Sequence, residues 1–151
     1  MKPIHIRDGE GERLVFPGAI ELTILVPGSA SNGAFAIFED VVQPGVGPPR
    51  HIHRSQDEVF FVLHGSFDIE IDGQLSHASA GDIAYVPRGA VHAFKNVGSE
   101  PGRLRYTFTP AGDTEAMFRA FYNAAQSDEL VPERMAEIAA RYDQEFVGPT
   151  L

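Results

Sequence analysis

The chain of 151 residues contains no cysteine. A disulfide framework and a thiolate metal site are therefore both excluded, and any metal here must be held by nitrogen and oxygen. Long apolar runs are also missing. The longest are about five residues, against the roughly 20 that a membrane-spanning helix needs. Positive charge is scarce: 12 Lys and Arg stand against 21 Asp and Glu, a formal net charge of -9. Nothing offsets phosphate repulsion, which argues against nucleic acid or an anionic membrane as partner. The first residues, Met1 to Arg7, lack the apolar core of a signal peptide. The expectation is a soluble cytoplasmic protein whose partner is a small molecule.

Glycine and proline, by contrast, are plentiful, with 15 and 11 copies, and they imply frequent turns. The length suits one domain with a sizeable core.

Gly45 to Gly65 carries the densest chemistry. His51 and His53 are two apart, so in a strand their imidazoles share a face. Glu58 follows five later, an odd step that one unbroken strand would send to the opposite face. The intervening Arg54-Ser55-Gln56-Asp57 is turn-like and can reset the phase. Two neutral nitrogens and a carboxylate oxygen then form a site for a divalent transition metal.

The remaining chain reads as short strands. Ile20 to Val26 alternates, and Gly33 to Val42 is the next candidate, with Phe35, Ile37 and Val41 on one face and Phe38 on the other. Phe67, Ile69 and Ile71 alternate with polar residues, and Asp72-Gly73 is a hairpin signal. Ile83 to Val86, Val91 to Val97 and the alternation through Leu104, Tyr106 and Phe108 complete at least eight strands, the pattern of an antiparallel sandwich or barrel. Character changes at Pro110. Asp113 can cap a helix bearing Phe118, Phe121 and Tyr122 on one face. Pro132 opens a second, with Met135, Ile138, Ala139, Tyr142 and Phe146 at helical spacing. Residues 1–110 thus read as a β-domain and 111–151 as a helical appendage of the same domain.

Gly81 to Asn96 supplies a second constellation: Gly81, Pro87, Gly89, His92 and Asn96. With Gly45, His51, His53, Glu58 and Gly65, these match the paired motifs G-x5-H-x-H-x(3,4)-E-x6-G and G-x5-P-x-G-x2-H-x3-N. In both the chain resembles the cupin superfamily, in its single-barrel form. The resemblance implies an all-β jelly-roll barrel, with the two C-terminal helices packed outside. It also implies four metal ligands, His51, His53, Glu58 and His92, around one divalent ion (Fe, Mn, Ni, Co, Cu or Zn). Asn96 is expected to be structural. Members commonly pair barrels, so a homodimer is expected.

Phe60, Val62 and Phe94 share strand phase with Glu58 and His92 and are expected to line a substrate pocket, with Tyr85 and Tyr106 as polar contacts. His64 is expected at the rim, and His5 and His77 at the surface. The resemblance to quercetinase-like members implies a metal-dependent dioxygenase, with Glu58 as base as well as ligand, acting on a flavonol- or diketone-like substrate. The alternatives are a small-molecule binding module without turnover and a non-redox isomerase or cyclase. The mostly apolar inward residues argue against a sugar.

Overall fold

A computed structural model describes residues 1–151. Eleven strands and two helices follow in the order β1 (Glu12–Phe16), β2 (Ile20–Val26), β3 (Ala36–Val42), β4 (His51–His53), β5 (Asp57–His64), β6 (Ser66–Ile71), β7 (Gln74–Ser79), β8 (Ile83–Val86), β9 (His92–Asn96), β10 (Gly102–Thr109), α1 (Thr114–Gln126), α2 (Pro132–Arg141) and β11 (Gln144–Phe146). The strands form two antiparallel sheets, β1-β2-β3-β10-β5-β8 and β11-β4-β9-β6-β7. This is the jelly-roll barrel with two helices outside it.

The period-2 patterns decide which side chains enter. On β5, Glu58, Phe60 and Val62 are buried while the residues between them are half-buried. On β10, Leu104, Tyr106 and Phe108 do the same. With Phe38, Phe67, Ile69 and Phe94 they form the core between the sheets. Asp72 and Gly73 both take positive φ, 48° and 79°, and join β6 to β7 by a two-residue turn, as that dipeptide favours.

Two segments differ from the sequence reading. On β3 the inward face is Ala36, Phe38, Asp40 and Val42. Phe35 precedes the strand and is 39% exposed. Both faces of this stretch are apolar enough that periodicity alone does not choose between them, and pairing with β2 and β10 does. The second helix ends at Arg141, short of Phe146. Asp143 turns the chain with φ 66°, and Gln144, Glu145 and Phe146 pair with His53, Ile52 and His51 as an added strand. Three residues carry too little pattern to announce a strand, and Phe146 fits the helical spacing equally well.

The helices lie over the barrel opening. Phe118 of α1 packs edge-on against Phe38, with ring centroids 5.1 Å apart. Met117, Phe121, Ala124, Ile138 and Ala139 form a second small core between the helices.

Candidate metal centre

His51, His53, Glu58 and His92 are brought together by both sheets. His51 and His53 stand on β4, two positions apart and facing inward. His92 on β9 is the direct cross-strand partner of His51. Glu58 arrives from β5 in the opposite sheet, because the chain turns at Arg54–Gln56 and re-enters with a new phase. Barrel closure, which sets facing strands across one interior, completes the group. One ligating atom from each residue lies within 4.8 Å of the other three, and all four residues are buried. Atoms bound to one first-row metal at about 2.0–2.2 Å are roughly 3 to 4.4 Å apart, so the group closes on an ion with small shifts.

The imidazoles are oriented from behind. His51 Nδ1–H donates to the Pro49 carbonyl at 2.8 Å, and His92 Nδ1–H donates to the Ala90 carbonyl at 3.1 Å. Each such bond orients the ring so that Nε2 points inward, where it can ligate once it carries no proton. The strand carrying His51 is anchored as well. Arg50 holds Glu70 through two bonds, at 2.6 and 3.1 Å, and its Nη1 donates to the Pro149 carbonyl. Gly89 N–H donates to the His53 carbonyl at 2.8 Å, tying the turn of the second motif to the first. Gly47, just before this strand, admits no side chain, since a Cβ there would sit 1.8 Å from the Phe94 carbonyl oxygen.

His92 Nε2–H donates to Glu58 Oε2 at 2.8 Å, and His53 Nε2 is 3.3 Å from the same oxygen. Burial pushes Glu58 up, but the bonds from His53 and His92 more than offset it and hold the carboxyl at about 2. Burial pushes His92 down, and its bond to Glu58 outweighs that and raises it. His51 is pushed well below the usual imidazole range by burial, then by the charges of His92 and His53. Such a set of unlike neighbours, close and desolvated, is what a cation would neutralise.

His51, His53 and Glu58 of the group line a cavity of about 290 Å³, and His92 does not. Phe60, Phe94, Tyr106 and Phe108 line it as well. Val62 is buried in the core but does not line the cavity. Tyr85 is 58% exposed on the outer face of β8 and makes no contact with it. Its partner across the strands is Val59, which also faces away from the interior. His64 and His77 are exposed. Asn96 is structural: its amide donates to the Val42 and Glu100 carbonyls and its oxygen accepts from Gly98 N–H.

Several cavity residues escape a sequence reading. Phe118, Phe121, Leu130 and Met135 reach the cavity from the helical appendage, and Gln144 and Phe146 from β11. Asp40 lines it too, buried on the inward face of β3. The alternation Ala36-Phe38-Asp40-Val42 is the one signal for it, and the equally apolar opposite face masks it.

Comparison with known proteins agrees with this picture. Residues 38–109 match the family model described as a cupin domain. Quercetin 2,3-dioxygenase of Bacillus subtilis (strain 168) is 30% identical over 153 residues, covering 96% of this chain and 44% of that protein. The chain thus spans less than half of this relative's length. An RmlC-like cupin from Shewanella frigidimarina superposes with TM-score 0.61 at 25% identity, over 72% of this chain and 93% of its own. The polyketide cyclase RemF from Streptomyces resistomycificus superposes with TM-score 0.59 at 21% identity, over 72% and 79%. With both motifs, the barrel and the family match in agreement, this chain belongs to the cupin superfamily.

Proposed function

We propose that the chain is a metal-dependent dioxygenase acting on a small, largely apolar aromatic substrate of flavonol or diketone type. The observation that carries this reading is the three-histidine, one-glutamate group, of which His51, His53 and Glu58 line a cavity walled by phenylalanines. The similarity to a quercetin 2,3-dioxygenase, though over less than half of that protein, points the same way.

The donor set suits the metal. It has no sulfur, three imidazoles and one carboxylate, and it is buried, convergent and held from behind. Such a set takes iron, manganese, nickel, cobalt, copper or zinc. Bound there, the ion would supply a Lewis-acid position for an ionised substrate oxygen and, where redox-active, a path for electrons toward dioxygen.

The protein's own groups do the rest. Phe60, Phe94 and Phe108 hold a planar ring by area burial and edge contacts. Glu58 uses Oε2 toward the imidazoles, which leaves Oε1 to accept a hydrogen bond from a substrate hydroxyl. Phe118 and Phe121 from α1 add apolar wall to the cavity. A desolvated site strengthens each polar contact in it.

A second reading, a non-redox isomerase or cyclase, has Asp40 in its favour: a buried acid in the cavity could exchange a proton with a bound ligand. The experiment that separates them is elemental analysis of protein purified without added metal, followed by an oxygen-uptake screen with flavonols, catechols and 1,3-diketones. Stoichiometric transition metal with substrate-dependent uptake is the expected result. Metal-replete protein that consumes no oxygen with any of them would overturn the dioxygenase, and tight binding without turnover would favour a carrier.

A further inference from the structure

The cavity has a polar feature that the metal group does not use. Apart from the histidines and Glu58, Asp40, Tyr106 and Gln144 are the polar side chains that line it. Tyr106 O–H donates to Asp40 Oδ1 at 3.0 Å. Asp40 is 4% exposed and Tyr106 3%.

Nothing in the barrel's construction calls for a carboxyl at this point. Across the sheet Asp40 faces Leu22 on one side and Leu104 on the other. Its neighbours on the inward face of β3 are Phe38 and Val42. A leucine or valine here would continue the core. Burying a carboxyl instead is costly, and a single bond from Tyr106 satisfies one of its two oxygens. Burial raises the carboxyl to about 8, the Tyr106 bond opposes this, and the charges of Glu58 and Glu39 add to the rise. A group kept at such cost inside a ligand cavity is best explained by the ligand.

Its place fits. The Tyr106 ring lies between Phe38, stacked at 5.5 Å, and Phe108, edge-on at 5.7 Å. Phe108 in turn meets the His53 ring at 4.7 Å. The pair is thus one aromatic ring removed from the metal group and shares its cavity.

We infer that Asp40 and Tyr106 form a second polar subsite, which binds a ring hydroxyl of the ligand remote from the oxygen placed at the metal group. A hydroxyl both donates and accepts, so it can complete Asp40 Oδ2 whichever protonation state the carboxyl holds. The subsite sets which ligands fit: a planar aromatic with oxygens at two separated positions, in preference to one with a single polar end. This specificity rests on the cavity reading above but not on turnover.

The test uses zinc-loaded protein and two probes, 3-hydroxyflavone and quercetin, which adds hydroxyls on the outer rings. Dissociation constants are measured by calorimetry. The wild type should favour quercetin by about tenfold or more, the scale of one buried hydrogen bond. Asp40→Val and Tyr106→Phe should bring the ratio close to one, while Asp40→Asn, which can still donate and accept, should keep most of it. Zinc stoichiometry should be unchanged in all three. A wild type without preference, or a preference that survives both Asp40→Val and Tyr106→Phe, overturns the assignment. Should Asp40→Val not fold, the ratio for Tyr106→Phe decides alone. Zinc-loaded protein is compared by binding only, so a failed oxygen-uptake screen and a failed subsite give different results.

Discussion

Replacing Asp40 with asparagine should remove a pH-dependent penalty from the metal-free protein. Burial between two leucines raises this carboxyl to about 8 in the folded chain, against the Tyr106 hydrogen bond and with the charges of Glu58 and Glu39. Unfolded, the same group titrates near 3.9. Between those values the folded protein keeps a proton that the unfolded chain has released. Stability contributed by the protonated group is therefore full below about 4 and falls as pH rises through about 8. The slope is about 1.4 kcal/mol per pH unit, so from pH 5 to 7 the wild type loses roughly 3 kcal/mol through Asp40 alone. Asparagine has nearly the same shape, still accepts from Tyr106 and never ionises. The unfolding free energy of Asp40→Asn minus that of the wild type should grow by roughly 3 kcal/mol over those two units. At about 2–4 °C per kcal/mol for a chain of this size, melting temperatures should diverge by roughly 6–12 °C. Chelator-treated samples and urea melts at pH 5, 6 and 7 make the measurement, and groups common to both proteins cancel in the difference. A difference that stays flat across this range would refute the claim that Asp40 is buried and proton-bearing.

Other outcomes follow from the same geometry. Glu58→Gln and His53→Ala should each cost one ligand and weaken zinc binding at least tenfold in chelator competition, since first-row affinity depends on every donor in the set. Metal affinity of the wild type should fall by about tenfold per pH unit once pH drops below the raised His92 value, because the ion must displace that proton; affinity independent of pH would contradict the Glu58–His92 bond. Phe60→Ala should destabilise by about 3–5 kcal/mol in chemical denaturation, given a side chain only 1% exposed. Gly47→Ala should fail to accumulate as folded protein or melt far lower, since its Cβ would overlap the Phe94 carbonyl oxygen at 1.8 Å; a wild-type melting curve would show that β4 can move.

Much of this molecule can be read from the chain. His51 and His53 announce themselves by period 2 and Glu58 by the turn that resets its phase, while His92 enters only through the resemblance of the second motif to the family's. The barrel is legible because its strands alternate cleanly, as at Phe67-Ile69-Ile71, and because Asp72-Gly73 can make few other turns. Reading stops where both faces of a strand are apolar, as at Phe35–Val42, and where an element is too short to show a period, as at Gln144–Phe146. It errs at Tyr85, whose aromatic ring suits a pocket wall but whose phase on β8 turns it to solvent.

Local pattern therefore pointed to three candidate ligands, because ligand spacing and strand period are properties of a few neighbouring residues, and the family resemblance added His92. It could not settle what surrounds that group. Phe118 and Phe121 come from a helix more than 50 positions after Glu58, β11 joins β4 from the far end of the chain, and Asp40 meets Tyr106 across 66 positions. Those juxtapositions are decided by barrel closure and by helices seeking cover for their apolar faces, and the cavity's lining comes from them.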